Sequence, residues 1–440
     1  MRLFFVSDIL LIYPEPSKES PQRNPALSIF YGGASCEQKG YNVDYFVEGI
    51  DSLSILNNKI SKSTIIGISS MMGYQWKRSK EIIKKIRSIS KTKPIVLGGI
   101  MATIQPDEAG KYVNCCVKGE GENSLLEYMK NLSLKRINAP LIDFRKEYVS
   151  PITNKTEKYF YDSAKRNSII FPTSRGCFSK CGFCVVNNLY CGKWRDIGFD
   201  KWKADIEKIY LLYPFTYFEL NDENFMPTPK RIEKYGTFLG NLNLDWHLHA
   251  RADSITPDIA KDLKKFGCSQ IHIGAESGNN RILSLVGKNI TVSKTKESAE
   301  ILSGCKIKTT YTFMMGLPTE TKNEFLDTLN FMDDLYKIHT GYCRMTLYEY
   351  QPLNGTPLYL KYGKGNTLKA IYNNIYYISG LNFNRGENDK TDKNFPNKWR
   401  LLIKPFEFLC KKRWERKFFY FFGIEKILIK FLFIIRRKMQ

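Results

Sequence analysis

Three cysteines crowd into the stretch Thr173-Ser-Arg-Gly-Cys177-Phe-Ser-Lys-Cys181-Gly-Phe-Cys184, at C-x3-C-x2-C spacing. The apolar run Ile169-Ile-Phe-Pro172 just before it reads as a strand, which puts the thiols on the loop that leaves it. Three thiolates on one short loop hold three irons of a [4Fe–4S] cube. The fourth iron then lacks a protein ligand, because a cube takes four thiolates, and is open to a substrate or cofactor. Gly176 and Gly182 suit a loop that wraps closely around a cluster. Structural zinc is one rival, but it prefers four ligands arranged as C-x2-C pairs. Cys191 lies further on, at a spacing that suits neither a zinc ribbon nor a ferredoxin run. Disulfides are a second rival, and they need an oxidising compartment. Ordinary scattered cysteines are the third, and they would not fall at this spacing after a strand.

This loop, with Phe183 before its last cysteine, resembles the signature of the radical S-adenosylmethionine (SAM) enzymes. The resemblance implies that the unligated iron chelates the amino and carboxylate groups of SAM's methionine part. Reduction then cleaves SAM to a 5′-deoxyadenosyl radical. It also implies a reducing partner such as a flavodoxin or ferredoxin.

At 440 residues and 43% apolar content, two domains with sizeable cores are expected. Eleven cysteines and no secretion signal point to a reducing cytoplasm. Leu3–Val6 reads as a first strand broken by Asp8, followed by a Pro-rich loop at Pro14, Pro16, Pro21 and Pro25. The formal charge of +23 suits an anionic partner, and 13 Lys/Arg against three Glu fall between Lys398 and Gln440.

Residues 1–132 alternate strand and helix, which predicts βαβ units and a doubly wound, Rossmann-like parallel sheet. The expected strands include Val43–Val47, Thr64–Ser70, Pro94–Gly99 and Cys115–Val117. Helices are expected over 26–39, 76–90 and 124–132. Ligands of such sheets bind beyond the carboxyl strand ends. Three of these ends carry small residues: Ser69-Ser70-Met-Met-Gly73, Gly98-Gly99 with Thr103 beyond, and Gly119-Glu120-Gly121. A flat ligand could approach the backbone there. Together the three segments resemble the cobalamin-binding domain that precedes the core in one subfamily of radical SAM enzymes. The resemblance makes Ser69, Ser70, Gly73, Gly98, Gly99, Thr103, Gly119, Glu120 and Gly121 cobalamin-binding candidates. A domain that has lost its ligand is the plain alternative.

Two departures from that subfamily stand out. Met101 occupies a position that often holds His, and there is no D-x-H-x-x-G motif. Residues 1–150 contain no His; all four (His247, His249, His272, His339) come later, so this domain cannot offer cobalt an imidazole. Cys36, Cys115 and Cys116 form no second cluster pattern, which argues against the methylthiotransferase branch.

Residues 133–165 read as a linker without a clear period, and residues 166–360 as a partial (β/α)6 barrel. Its strand tips resemble the family's SAM-binding segments. On that resemblance Asp222 and Glu223 stand near the SAM amino group. Gly274, Glu276 and Ser277 form the segment whose Glu contacts the ribose hydroxyls. Arg251 is the candidate partner of the methionine carboxylate, on charge and tip position. A salt bridge of Arg251 with Asp253 or Glu219, and a solvated turn at Glu276, are the structural alternatives. These are cofactor-binding candidates, and no catalytic residue is assigned.

Residues 361–440 form a basic, aromatic-rich extension with a helical stretch over 368–381. Its apolar runs are shorter than the ~20 residues of a spanning helix. A basic interfacial helix on an anionic membrane face, or a helix packed on the barrel, is expected from Trp399 onward. The whole reads as an α/β radical SAM enzyme of the cytoplasm, at most peripheral at the inner membrane face. It has a [4Fe–4S] cluster, SAM and cobalamin, and acts on a small-molecule or lipid-like substrate. The common chemistry of the class is methyl transfer to an unactivated carbon. Radical cyclisation or rearrangement, and a non-catalytic cobalamin or iron–sulfur sensor, are the alternatives. A nucleic-acid partner is not expected, since no RNA-binding module is recognisable.

Overall fold

The structure, a computed structural model, describes residues 7–17, 24–340 and 343–363. The expected strand at Leu3–Val6 and the extension beyond residue 363, with its membrane-docking reading, lie outside the described residues.

The first domain is a parallel sheet of β1 (Ser7–Tyr13), β2 (Val43–Val47), β3 (Ser63–Ser69), β4 (Ile95–Gly98), β5 (Cys115–Lys118) and β6 (Arg136–Asn138). Its order is β2-β1-β3-β4-β5-β6. The chain reverses its winding between β1 and β3, so the ligand crevice of such a sheet lies at their carboxyl ends. β1 corrects the sequence reading, which broke the strand at Asp8. Asp8 stays in the strand because its carboxylate accepts the Asn42 N–H at 2.7 Å. Apolar residues line both faces of β1 and β3, with Leu10, Ile12, Ile66 and Ile68 facing one helical layer and Ile9, Leu11 and Ile65 the other.

The second domain holds β7 (Ser168–Phe171), β8 (Ser174–Arg175), β9 (Arg195–Asp196), β10 (Tyr217–Leu220), β11 (Asp245–Ala250), β12 (Cys268–Glu276), β13 (Lys308–Met315) and β14 (Cys343–Glu349). Six of them form one all-parallel sheet in the order β14-β13-β12-β11-β10-β7. Strands that follow chain order with helices between them make the open barrel predicted for this region. β8 and β9 form a separate antiparallel ladder around the cysteine loop. The outer face of the sheet is aromatic and aliphatic, with Trp202 and Trp246 fully buried against it. Each such side chain contributes about 1.5–3 kcal/mol by burial. Thr caps start the helices Pro229–Asn241, Pro257–Lys265, Val292–Gly304 and Lys322–Ile338, the last with a full capping box.

The stretch 133–165, without period in the sequence, contributes β6 to the first sheet and the helices Phe144–Glu147 and Glu157–Ala164. The second helix knits the domains together. Phe30 of the first domain stacks on Tyr159 at 5.1 Å and meets Phe160 at 5.9 Å, and Phe160 meets Phe171 of β7 at 6.4 Å. The two domains therefore share one continuous core.

Candidate functional site

The cysteine loop leaves β7 at the carboxyl end of the barrel and is pinned along its length. Asp222, buried just past β10, accepts the Thr173 N–H at 3.1 Å and the Thr173 hydroxyl at 2.8 Å, and also binds the Ser174 hydroxyl. Burial pushes its carboxyl up, against the pull of Arg231. Glu223 accepts the Gly176 N–H at 3.0 Å. Gly176 has φ +91°, and a Cβ there would collide with the Lys193 carbonyl. Further on, Gly182 N–H donates to Val286 O at 2.7 Å, and Leu358 N–H donates to Gly182 O at 2.9 Å. Both carboxylates expected near the SAM amino group thus spend hydrogen bonds on the loop itself.

Cys181 is buried, and Cys177 and Cys184 are half-buried. Burial pushes the Cys184 thiol up to about 11. Burial also raises Cys181, while the Lys288 and Arg251 charges work in the opposite direction. Among the described residues no three His, Cys, Asp or Glu side chains stand as a closed ligand set. The donor chemistry nonetheless suits a [4Fe–4S] cluster. Three thiols share one loop within each other's electrostatic reach, and Lys288 and Arg251 act on Cys181 in the direction of thiolate.

Arg251 follows β11 and pairs with Asp253 in a two-pronged fork, at 3.0 and 2.9 Å. That is the salt bridge the sequence left open. The same guanidinium also reaches Ser179 Oγ in the cysteine loop at 2.9 Å and Lys288 O at 3.0 Å. Glu276 ends β12 at φ +66°, an uncommon backbone for a residue with a Cβ. It is 8% exposed, so it is no solvated turn. Lys288 Nζ donates to its Oε1 at 2.9 Å. A side chain on Gly274 would strike this carboxylate. Ser277 is buried and bonds Thr328 Oγ1 at 3.1 Å, which anchors the turn to the helix Lys322–Ile338. Lys288, buried beside both Glu276 and Cys181, was missed in the sequence.

Beneath these tips the inner barrel face carries a second cluster the sequence did not announce. Glu219 of β10 binds His247 Nε2 at 3.2 Å and His249 Nε2 at 3.1 Å. Burial works against its ionisation, but the two imidazoles hold the carboxyl well below the usual range. His272 of β12 stacks on both rings, at 5.1 and 4.7 Å. Burial, then His249 and His247, push it down to about 3.

In the first domain the tips of β3, β4 and β5 stand side by side, as expected. Several candidates there bind one another. Thr103 Oγ1 donates to Gly99 O at 3.0 Å and accepts the Gly119 N–H at 3.1 Å. Ser70 is buried under the Ser79 hydroxyl at 2.9 Å. Gly99 has φ +85°, and a Cβ would press on Ser70 O at 2.8 Å. Gly73 stands at φ +69°, just before the helix Tyr74–Ile89, and Ser69 is half-buried at the end of β3. Gly98 and Gly121, by contrast, have nothing within 4 Å of where a Cβ would point. At these two positions the backbone is open, a glycine floor that suits a flat ligand such as cobalamin. Gln75, unassigned in the sequence, bridges the winding reversal. Its amide donates to Pro14 O and accepts the Met71 N–H, both at 2.6 Å.

The Glu120 side chain, at the β5 tip, reaches across to the second domain. Its carboxylate binds Arg175 Nη1 at 2.9 Å and Arg195 Nη1 at 2.7 Å, both from the second domain. The helix Gly99–Ile104, which starts at the β4 tip, rests against the helix Val186–Tyr190 that follows the cysteine loop. The glycine floor and the cysteine loop therefore face one interdomain region.

Residues 171–332 match the family model of the Radical SAM superfamily, and residues 18–128 match that of the B12 binding domain. The chain is 24% identical over 345 residues to an uncharacterized methyltransferase of Pyrococcus horikoshii, covering 72% of this chain and 75% of the relative. It is 24% identical to a putative methylthiotransferase of Methanocaldococcus jannaschii, covering 69% of this chain and 70% of the relative. The fold is similar to that of OxsB, a cobalamin-dependent S-adenosylmethionine radical enzyme solved with aqua-cobalamin bound. The TM-score is 0.64 at 20% identity, over 74% of this chain. The chain spans about half (52%) of the length of OxsB.

Proposed function

From a chain that belongs to the radical SAM superfamily and carries a B12-binding domain in front of its barrel, we infer an enzyme that methylates an unactivated carbon of a small molecule. The observation that carries this reading is the placement of the cysteine loop against the glycine floor of the first domain, joined through Glu120 and Arg175. When bound, the cluster supplies the electron that cleaves SAM, and methylcobalamin supplies the methyl group.

The chain's own residues divide the work. Cys177, Cys181 and Cys184 hold the cluster, with Asp222 and Glu223 fixing the loop that carries them. Arg251, tethered to that loop through Ser179, meets the methionine carboxylate. Glu276 accepts the ribose hydroxyls, a role suited to a carboxylate because it takes two hydrogen bonds. Lys288 holds Glu276 in place. Gly98 and Gly121 let the corrin approach the backbone, and the first domain presents no imidazole to the cobalt. A reduced flavodoxin or ferredoxin delivers the electron.

Methylthio transfer would need a second cluster in the first domain. Cys36, Cys115 and Cys116 do not suit one: all three are buried in a helix and a strand, and burial pushes their thiols up to about 12, 12 and 11. The basic stretch from Trp399 to Gln440 fits docking on an anionic membrane face, near a lipid-like substrate. Full-length protein should then pellet with anionic vesicles at low salt, and protein truncated before Trp399 should not. No helix among the described residues is long and apolar enough to cross a membrane.

The reaction is tested without knowing the substrate. Protein reconstituted anaerobically with iron, sulfide and cobalamin is given SAM labelled in its methyl group. Label on the bound cobalamin supports methyl transfer. Full cofactor loading with SAM cleavage but no label would favour cyclisation or rearrangement. Loading without any SAM cleavage would favour a sensor.

A further inference from the structure

In the β8–β9 ladder Arg175 lies directly opposite Arg195, two residues before Cys177. Two guanidiniums side by side repel unless an anion stands between them. That anion comes from the other domain. Glu120 Oε1 accepts from Arg175 Nη1 at 2.9 Å and Arg195 Nη2 at 3.0 Å. Its Oε2 accepts from Arg195 Nη1 at 2.7 Å and the Ile142 N–H at 2.6 Å. Glu122 adds a second contact to Arg175 Nη1 at 2.6 Å. The arginine side chains are 12% and 16% exposed and the Glu120 side chain 4%. Arg175 also lies over the rings of Tyr31 at 4.3 Å and Phe144 at 5.0 Å, so its position is set from the first domain and the connecting stretch as well as from the barrel.

Both ends of this contact lead to a cofactor surface. Gly119-Glu120-Gly121 is the β5 tip of the glycine floor. Arg175 runs through Gly176, held by Glu223, into Cys177. We propose that Arg175 is a positioning residue: clamped by Glu120 and Glu122, it sets where the cluster loop stands relative to the corrin floor. It touches neither group. The claim deepens the cobalamin-dependent reading above and rests on it for the identity of the second group. A planar guanidinium suits this task, because one nitrogen reaches both carboxylates while the plane lies over Tyr31 and Phe144, and a lysine at the same place would keep the charge but lose the stacked plane.

The test uses the full-length protein with Arg175→Met, Arg175→Lys and, from the opposite side, the near-isosteric Glu120→Gln. Amide hydrogen exchange is measured first, without cofactors. Each of Arg175→Met and Glu120→Gln should raise exchange about 10-fold or more at both 119–122 and 176–184, and Arg175→Lys should recover part of it. Exchange that rises only in the segment carrying the substitution would overturn the proposal. The loaded proteins are then compared by pulsed electron paramagnetic resonance between the reduced cluster and cob(II)alamin. A shifted or broadened distance in the variants supports the positioning role, and an unchanged one contradicts it. Wild-type protein that takes up the cluster but no cobalamin would contradict the proposed function instead, and hydrogen exchange alone would then decide the role of Arg175.

Discussion

Lys288 and Glu276 form a buried ion pair at 2.9 Å, on the strand tip that faces the cysteine loop. Burial alone would lower the lysine's pKa, but the charges of Glu276 and Cys181 raise it, so the ammonium persists. Removing it strands a carboxylate on a residue already at positive φ. Lys288→Met should cost roughly 3–5 kcal/mol of stability, the usual cost of breaking a buried pair from one side. The fall should show in a urea midpoint, with little change in slope.

Glu276→Ala should weaken SAM binding to the reconstituted protein by about 1.5–3 kcal/mol, the range for a hydrogen bond to a charged group. Equilibrium dialysis with SAM measures it. Unchanged affinity would remove the ribose role while leaving the cluster assignment standing.

Asp222 ties β10 to the start of the cluster loop through Thr173 and Ser174, and Arg231 leans on the same hydroxyl of Thr173. Asp222→Ala should lower stability by roughly 2–4 kcal/mol, because it leaves the Thr173 N–H and the Thr173 and Ser174 hydroxyls without their buried acceptor. Iron content after reconstitution should fall along with it, even though Asp222 is no ligand.

Stability should drop on mild acidification, and the histidine cluster sets the window. Burial, with His249 and His247 beside it, holds the folded His272 imidazole down to about 3, against about 6.5 for an ordinary histidine. The unfolded chain therefore takes up more protons between these values, and stability is lost as pH falls from 6.5 towards 3. Over the whole window the loss from this group is on the order of 5 kcal/mol. His339, pushed down to about 4 by burial, acts in the same direction. Glu219, whose folded carboxyl lies below the usual range, gives stability above its unfolded value that is lost at still lower pH. Urea midpoints measured from pH 7.5 to 4 should fall steadily, and His272→Gln should flatten the curve.

Much of the frame was legible because local patterns and tertiary demands agree. Strands buried on both faces read as continuous apolar runs, and the expected span of Val43–Val47 matches the structure residue for residue. The helix Pro229–Asn241 went unread although Thr228-Pro229 is a start signal, with Thr228 Oγ1 accepting the Arg231 N–H at 3.3 Å. The site was legible only where a motif stays on one loop. Cys177, Cys181 and Cys184 needed no register. Lys288 needed a fold that brings it back to Glu276, and nothing between Leu285 and Ile290 marks a lysine for burial. His247 and His249 alternate and so share a face, but their partners Glu219 and His272 are joined to them only by strand pairing. Glu120 was read as part of a ligand-facing tip. Its true partners lie 55 and 75 residues away in the other domain, a pairing that no spacing within the first domain encodes.

The central claim is that the Cys177–Cys184 loop carries a cluster that cleaves SAM, and one measurement tests it most directly. Anaerobically reconstituted full-length protein is reduced with dithionite in the presence of SAM, and 5′-deoxyadenosine is quantified by liquid chromatography and mass spectrometry. The account predicts steady formation of 5′-deoxyadenosine, abolished in the Cys177→Ala/Cys181→Ala/Cys184→Ala protein together with its iron. Wild-type protein with four irons and bound SAM that yields no 5′-deoxyadenosine, or a triple variant that still assembles the cube, would contradict it.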